Sequence, residues 1–490
     1  MDKLIRTHWI GKNIQYRIAV LVFFWLLAHF PAFAQPFTIK SGLFDQTKTD
    51  DVGLSAAKGT ETHTVFSPTS STDHYSNNVV LVAFKDWLYC QWQSSATDED
   101  SDDTWTAYSR SKDGKTWTAP MKLAVPFGKG RCSAGGWWIH GDTLIAYINV
   151  WPQPPATDPS GNAYYMTSTD GLTWSKITPL PMKDGTPMKG VIEQGFHALP
   201  SGRLIAACEF QPGLTTSPIY SDDPSGIRGW VRASYTNLAH TGLTAREIEP
   251  SWFLRSDGVP VMVFRDQNST NRVWASSSTD KGKTWPTVVE TDMPDGRAKQ
   301  CAGNLPDATA FMVNNPVNVT RRSPLGITLS KDGKTFTQAY AIRKGGSDLQ
   351  AQRYTGKAKT LGYSYPKSTI WNGYLYVSYS TNKEDVQYTR IPLGSLQLNS
   401  PITDIEIDVM TENKDIKILV EDQTKTVFVS LPDNQKEGIL CIFDLNGQSV
   451  FSSEIQGGQI RCDLESKPTG MYLVQVTTGS LKKTQLFHNR

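Results

Sequence analysis

Four short stretches of this chain repeat one pattern. They are Ser111-Lys-Asp113-Gly114-Lys-Thr116-Trp117, Thr169-Asp170-Gly171-Leu-Thr173-Trp174, Ser278-Thr-Asp280-Lys-Gly282-Lys-Thr284-Trp285 and Ser330-Lys-Asp332-Gly333-Lys-Thr335-Phe336. Their aspartates lie 57 residues apart (Asp113 to Asp170), then 110 (to Asp280), then 52 (to Asp332). The middle gap is two periods, so a degenerate copy is expected near its midpoint, where Ser221-Asp222-Asp223 and Gly229-Trp230 stand. A period of about 55 residues has room for four short strands, one blade of a repeat fold. Within the motif, Asp and Gly make a tight turn, side-chain oxygens of Ser and Asp take the turn amides, and the aromatic residue wedges between strands. This is structural chemistry, and no catalytic role falls to the boxes.

Strand-like alternation fills the intervals, in Val79 to Trp92, Thr143 to Val150, Arg203 to Phe210, Val259 to Phe264 and Tyr374 to Tyr379. Thr64 to Leu396 holds about six periods. The expected fold class is therefore all-β: a six-bladed β-propeller followed by a small C-terminal β-sandwich. The last blade, Gly362 to Arg390, has no box and is expected to close with a strand from the N-terminal part. The 15 Trp, 18 Tyr, 38 Gly and 28 Pro suit such a turn-rich β protein. A net charge of +2 without a polybasic tract argues against a nucleic-acid partner.

At the N-terminus, Lys3, Arg6, Lys12 and Arg17 precede an apolar run, Ile18 to Ala32, and the small-x-small site Ala32-Phe33-Ala34. Residues 1–34 read as a signal peptide. His29 and Pro31 interrupt the run, so no membrane span is expected after cleavage. The propeller is placed at 35–400 and the sandwich at 403–490. Of the six cysteines, Cys441 and Cys462 share the last segment and are candidates to pair; Cys90, Cys132, Cys208 and Cys301 stand equally well as thiols or bridges. No Cys-x-x-Cys spacing marks a zinc site. The last segment, in its Phe443-Asp-Leu-Asn-Gly-Gln, its Thr469-Gly-Met-Tyr-Leu-Val-Gln-Val and its Lys482-Lys483 tail, resembles the C-terminal sorting domain of type IX secretion cargo. That resemblance implies secretion machinery as a partner and a secreted or cell-surface destination.

Between the boxes the charged residues fall in a particular order. Ile248-Glu249-Pro250 opens one strand and Phe264-Arg265-Asp266 closes the next; Asn315-Pro316 precedes Arg322, eight residues before Ser330; Gly362-Tyr-Ser-Tyr365-Pro opens the last blade. With the boxes, this order resembles the sialidase superfamily over roughly residues 64 to 396. The resemblance implies Tyr365, rather than Tyr363, as nucleophile, Glu249 as its hydrogen-bond partner, and Arg265 and Arg322 as ligands of an anionic sugar. An aspartate before the first box would be the acid, and Asp98 to Asp103 offers several, of which Asp100 fits best by counting. One feature departs: where the family has an arginine in the first blade, this chain has Ser76-Asn77-Asn78, leaving Asn78 as the substrate-facing candidate.

A tyrosine with its usual pKa of about 10 is a poor nucleophile and needs a carboxylate to take its proton. Its neutrality suits a sugar whose anomeric carbon adjoins a carboxylate, because two anions need not meet; such enzymes depart from the two-carboxylate rule of glycosidases. Removing one guanidinium fork weakens a carboxylate clamp, so a uronate or a differently oriented keto-acid sugar also fits the expectation. The chemistry requires no cofactor and no metal. Two other readings remain: a lyase or hydrolase of uronate-containing glycans built on His74-Tyr75 with His140 and His197, and a non-catalytic glycan-binding propeller using Trp137, Trp138 and Trp151.

Overall fold

Box residues and alternating strands assemble into six successive antiparallel sheets. The computed structural model describes residues 35–489 apart from 126–129, 153–159, 269, 397, 399–414, 422–424, 433–434, 445–447, 465–466 and 480. The signal-peptide expectation and most of the expected boundary near residue 400 lie outside the described residues.

The first sheet runs Tyr75–Phe84, Trp87–Ser95, Trp105–Ser111, Met121–Ala124, and the second Arg131–His140, Thr143–Trp151, Asn162–Ser168, Thr178–Pro179. In the third, Gly190–Ile192 and His197–Ala198 share the edge of Leu204–Phe210, followed by Thr215–Ser221 and Val231–Arg232. The fourth comprises Glu247–Leu254, Pro260–Asp266, Arg272–Ser277 and Val289–Pro294; the fifth Cys301–Asn304, Ala310–Asn314, Leu325–Ser330 and Gln338–Arg343. The sixth takes Tyr363–Trp371, Tyr374–Thr381 and Asp385–Pro392 and then, as expected, the N-terminal strand Glu61–Phe66, with Glu61 opposite Arg390.

Period-two alternation explains how these sheets associate. In Ala310–Asn314, Ala310 and Met312 join a core with the fourth sheet, while Phe311 and Val313 face a core with the sixth. Val79 and Leu81 likewise pack toward Trp371 and Tyr388, and Val80 toward Trp137. Each sheet is thus buried on both faces, which favours near-continuous apolar runs over a polar-apolar stripe. Cores shared by consecutive sheets recur through the chain, and one joins the sixth sheet to the first.

The boxes work as local staples. Asp170 accepts hydrogen bonds from Leu172 N–H at 2.8 Å, Thr173 N–H at 2.7 Å and Ser168 Oγ at 2.9 Å. Asp113, Asp280 and Asp332 repeat the arrangement. In the degenerate copy Asp223 takes this role, accepting from Ser225 N–H at 2.9 Å, while Asp222 binds Arg203. Gly171 is required: its φ is +67°, and a Cβ there would meet the Tyr89 hydroxyl. The box aromatics enter the intersheet cores, Trp230 between the second and third sheets, Trp285 between the third and fourth, Phe336 between the fourth and fifth.

C-terminal to these sheets, Lys417–Glu421, Thr426–Ser430 and Gln459–Asp463 form one sheet, and Ser449–Gln456, Glu437–Asp444, Gly470–Thr478 and Leu481–Asn489 another. Val427, Val429, Leu440, Ile442, Val474 and Val476 form a core common to both. The expected Cys441–Cys462 pairing is not formed, because Cys462 belongs to the core between the sheets whereas Cys441 alternates with the core residues Leu440 and Ile442 and lies on the other face of its strand; all six cysteines are thiols. No helix among the described residues is long and apolar enough to cross a membrane.

Candidate active site

The first strand of four sheets is broken by a register shift at a corresponding place: between Asn77 and Val80, Ala134 and Gly136, Ile248 and Ser251, and Ser364 and Lys367. The residues at these bulges have left-handed backbones, with φ of 54° at Asn78, 94° at Gly136, 53° at Glu249 and 58° at Tyr365. A non-glycine residue there costs of order 1 kcal/mol, and a bulge re-aims the side chain out of the strand's alternation. Two of these breaks are visible in the sequence. Pro250 and Pro366 follow Glu249 and Tyr365, and a proline supplies no N–H to continue the ladder.

Glu249 and Tyr365 meet. The Tyr365 hydroxyl is a hydrogen-bond partner of the Glu249 carboxylate, whose Oε2 also accepts from Arg265 Nη1 at 2.8 Å. Three aspartates of the same part of the chain are engaged elsewhere: Asp266 by Arg246, Asp257 by Arg255 and Asp280 by its own box. Arg322 lies with its guanidinium carbon 5.3 Å from the Tyr365 ring centre and donates from Nη1 to Ser364 Oγ at 2.8 Å. Its carbonyl accepts from Tyr363 N–H at 2.7 Å, which docks the Arg322 loop onto the strand bearing Tyr365.

Burial alone would raise the pKa of Glu249, but Arg265 first, then Lys299 and the hydrogen bonds from Tyr365 and Arg265, bring it down to about 2. Glu249 is therefore an anion at neutral pH. Burial, reinforced by Glu249 and only partly opposed by Arg265, holds the Tyr365 phenol well above its ordinary value. The pair rests as carboxylate and phenol. An anion arriving at the arginines weakens the field that lowers Glu249 and makes it a better proton acceptor.

Beneath Glu249 a second layer was not legible as a motif. Glu209 Oε1 accepts the Glu249 N–H at 2.9 Å, and burial, with Glu193 and Glu249 nearby, pushes the Glu209 carboxyl up to about 8. Lys299 pairs with Glu193, donates to Gln194 Oε1 at 2.7 Å, and lies 5.2 Å from the Tyr365 ring centre. These residues come from the third sheet, a loop at its edge and the segment leading into the fifth sheet, and no spacing in the sequence links them.

The candidates of the first sheet and of the loop that follows its second strand have partners of their own. Asn78 occupies the bulge but turns its Nδ2 to Gln93 Oε1 at 3.1 Å, and its buried Oδ1 has no hydrogen-bond partner among the described residues. Asp100 pairs with Arg131, which lies against the Trp151 ring at 4.4 Å. Glu99, one residue earlier, faces Tyr365 electrostatically and binds Lys383 at 2.8 Å and Asn77 at 3.3 Å. Counting along the acidic run located the loop; which cation each of its carboxylates pairs with depends on the loop's conformation.

The histidines of the alternative reading do not gather around Tyr365. His74 stacks on Tyr354 at 3.9 Å, His140 is the exposed last residue of the strand Arg131–His140, and His197 is bonded to the Ala302 carbonyl at 3.2 Å. Burial lowers the His197 pKa to about 4, so it is neutral. Tyr75 does reach the centre, beside Glu99 and 5.7 Å from Lys383. Of the three tryptophans, Trp137 is buried on the Val80 carbonyl and Trp138 binds the Pro224 carbonyl, leaving Trp151 beside Arg131.

Repeated boxes, intersheet aromatics and the succession of four-stranded sheets define a class, and comparison with known families agrees with it. The chain belongs to the BNR repeat-like domain family, whose match extends over residues 86–377, more than half of the chain. Residues 423–487 match the secretion system C-terminal sorting domain, which marks a secreted or cell-surface protein that engages type IX secretion machinery. No curated protein matches the chain. Among solved structures, a protein described as a sialidase is similar at 16% identity with a TM-score of 0.52, covering 92% of this chain; the chain spans 48% of that protein's length. A protein of unknown function from Dyadobacter fermentans is similar at 15% identity and a TM-score of 0.52, over 68% of this chain and 99% of its own. The K499G mutant of NanB sialidase from Streptococcus pneumoniae is similar at 16% identity and a TM-score of 0.51, over 68% and 71%. At these identities the likeness is one of fold.

Proposed function

We propose that this chain is a secreted or cell-surface exo-glycosidase of sialidase-like type, which removes a terminal acidic sugar whose anomeric carbon bears a carboxylate. In this reading the six sheets are the blades of one β-propeller within residues 35–400, and the two C-terminal sheets are a β-sandwich within 403–490 that serves sorting. The observation that carries it is the convergence of Glu249 and Arg265 from the fourth sheet, Tyr365 from the sixth and Arg322 from a loop of the fifth.

The charges around Tyr365 favour an anion. Arg265 pairs with Glu249, Lys299 with Glu193, Lys383 with Glu99 and Arg131 with Asp100. Among the described residues no carboxylate lies within ion-pair distance of Arg322, whose partner is the neutral Ser364 hydroxyl. Arg322 and Arg265 bind the sugar carboxylate, and Tyr365 attacks the anomeric carbon as Glu249 takes its proton. Asp100, the more open of the two loop carboxylates at 34% side-chain exposure against 21% for Glu99, protonates the leaving oxygen. Water then releases the sugar from Tyr365, with Asp100 as base.

The test is release of a fluorescent phenol from its α-ketoside of N-acetylneuraminic acid. Turnover that disappears in Tyr365→Phe and Glu249→Gln supports the reading. Absence of turnover by the unaltered protein, or turnover that survives Tyr365→Phe, overturns it; glycan binding without turnover would leave a recognition module.

A further inference from the structure

The chain lacks an arginine at Ser76-Asn77-Asn78, yet a cation stands beside that place. Lys383 lies in the hairpin between Tyr374–Thr381 and Asp385–Pro392 of the sixth sheet, and its carbonyl accepts the Ser76 N–H at 2.9 Å. Both central residues of this turn are left-handed, Asn382 with φ 57° and Lys383 with φ 53°, and Glu384 N–H closes it on the Thr381 carbonyl at 2.9 Å. Such turns favour Asn-Gly, so a lysine in the second place carries backbone strain that a glycine would not. The turn is fixed on its other side as well: Asn382 N–H donates to the Gly362 carbonyl at 2.8 Å, and Asn382 Oδ1 accepts the Gly362 N–H at 2.9 Å. Lys383 is thus held between the first strand of the first sheet and the strand that carries Tyr365.

Its side chain is buried, with 3% exposure, and the ammonium lies 5.7 Å from the Tyr365 ring centre. Its carboxylate partner, Glu99, belongs to a loop rather than to the sheet framework. A strained, buried lysine aimed at the same ring as Arg322 and Lys299 is an unusual arrangement for a structural ion pair.

We propose that Lys383 is the third carboxylate ligand of the substrate site, entering from the sixth sheet in place of an arginine on the first, with Glu99 holding it until substrate binds. This rests on the exo-glycosidase reading above. An ammonium is a point charge without the planar fork of a guanidinium, so the site accepts a carboxylate whose orientation is fixed by Arg265 and Arg322 alone. The ligand class is a keto-acid sugar carboxylate.

The experiment is calorimetric binding of 2,3-didehydro-2-deoxy-N-acetylneuraminic acid and of its carboxamide to the full chain. The unaltered protein is expected to prefer the acid. Lys383→Met should weaken acid binding by about tenfold or more and carboxamide binding by less than about twofold, the loss of one charge-assisted bond. Lys383→Arg should retain the preference, and Glu99→Gln/Lys383→Met, which leaves no unpaired buried charge, should lose it as the single variant does. An unchanged preference in both methionine variants, while Arg322→Met abolishes it, overturns the role of Lys383 and leaves the glycosidase reading standing. Equal weakening of both ligands likewise overturns it. If the unaltered protein shows no preference for the acid, the glycosidase reading falls and this inference with it.

Discussion

The outer turns and the inner bulges of the sheets are both repeated features, but they are built in opposite ways. Each box is satisfied by its own neighbours: Asp332 accepts Lys334 N–H at 2.8 Å and Thr335 N–H at 3.1 Å, within four residues of itself. Each bulge is satisfied from elsewhere: Glu249 has Glu209, Arg265 and Tyr365 as partners, and Tyr365 stands against Arg322, Lys299 and Lys383. A local turn can repeat almost unchanged because nothing outside it needs to change. The bulges share backbone geometry while carrying Asn78, Gly136, Glu249 and Tyr365, so one device presents different chemistry in each sheet.

This contrast breaks if inner and outer substitutions behave alike. The largest effect is expected at the inner positions, where Tyr365→Phe or Glu249→Gln should lower kcat/KM on an aryl ketoside by about 10³-fold or more, with the denaturation midpoint little changed in Tyr365→Phe. A large fall in the stability of Tyr365→Phe would make the tyrosine framework instead. Next, Asp100→Asn should cost about 10²-fold or more in kcat on a substrate with a poor leaving group and much less on an activated aryl substrate, because only the former needs a proton donor. Glu99→Gln showing that leaving-group dependence in its place would move the acid by one residue.

At the outer turn, Asp332→Ala removes two amide partners from a half-buried position and should cost about 1–2 kcal/mol of stability in denaturant titration, with kcat unaffected. A fall in kcat per folded molecule would tie the boxes to catalysis.

The smallest effects concern pH. Glu209 has a raised carboxyl in the folded state, about 8, so between its unfolded value and that figure the unfolded chain binds fewer protons and stability falls as pH rises. Glu209→Gln should flatten that part of the profile in urea titrations across pH 5 to 8. Glu249 has the opposite sign: its depressed pKa contributes stability above the unfolded value that is lost as pH falls from about 4.5 toward 2, and Glu249→Gln should remove that acid-side loss.

Much of the outer architecture was legible because it is local. The 57-residue and 52-residue box intervals give the succession of sheets, and the copy expected around Asp222-Asp223 is present with Asp223 in the aspartate's place. The Glu-Pro and Tyr-Pro pairs mark two bulges because the absence of a proline N–H interrupts the ladder. Cys441 and Cys462 misled because proximity in sequence carries no information about which face of its strand each thiol takes, and only Cys462 is in the core. Asn78 could be assigned its strand position but not its side-chain partner, Gln93, which lies across the sheet.

The sequence by itself determined the repeat, the all-β class, the sorting segment and the order of Glu249, Arg265, Arg322 and Tyr365, since each is encoded in turn chemistry, alternation or short spacing. The tertiary structure alone decided that Glu99 pairs with Lys383 while Asp100 pairs with Arg131, that Glu209 and Lys299 underlie Glu249, and that Lys383 stands beside the place where an arginine is missing. Those relations join residues from different sheets, and buried charges take their partners, and hence their protonation, from whatever the packing of those sheets brings within reach.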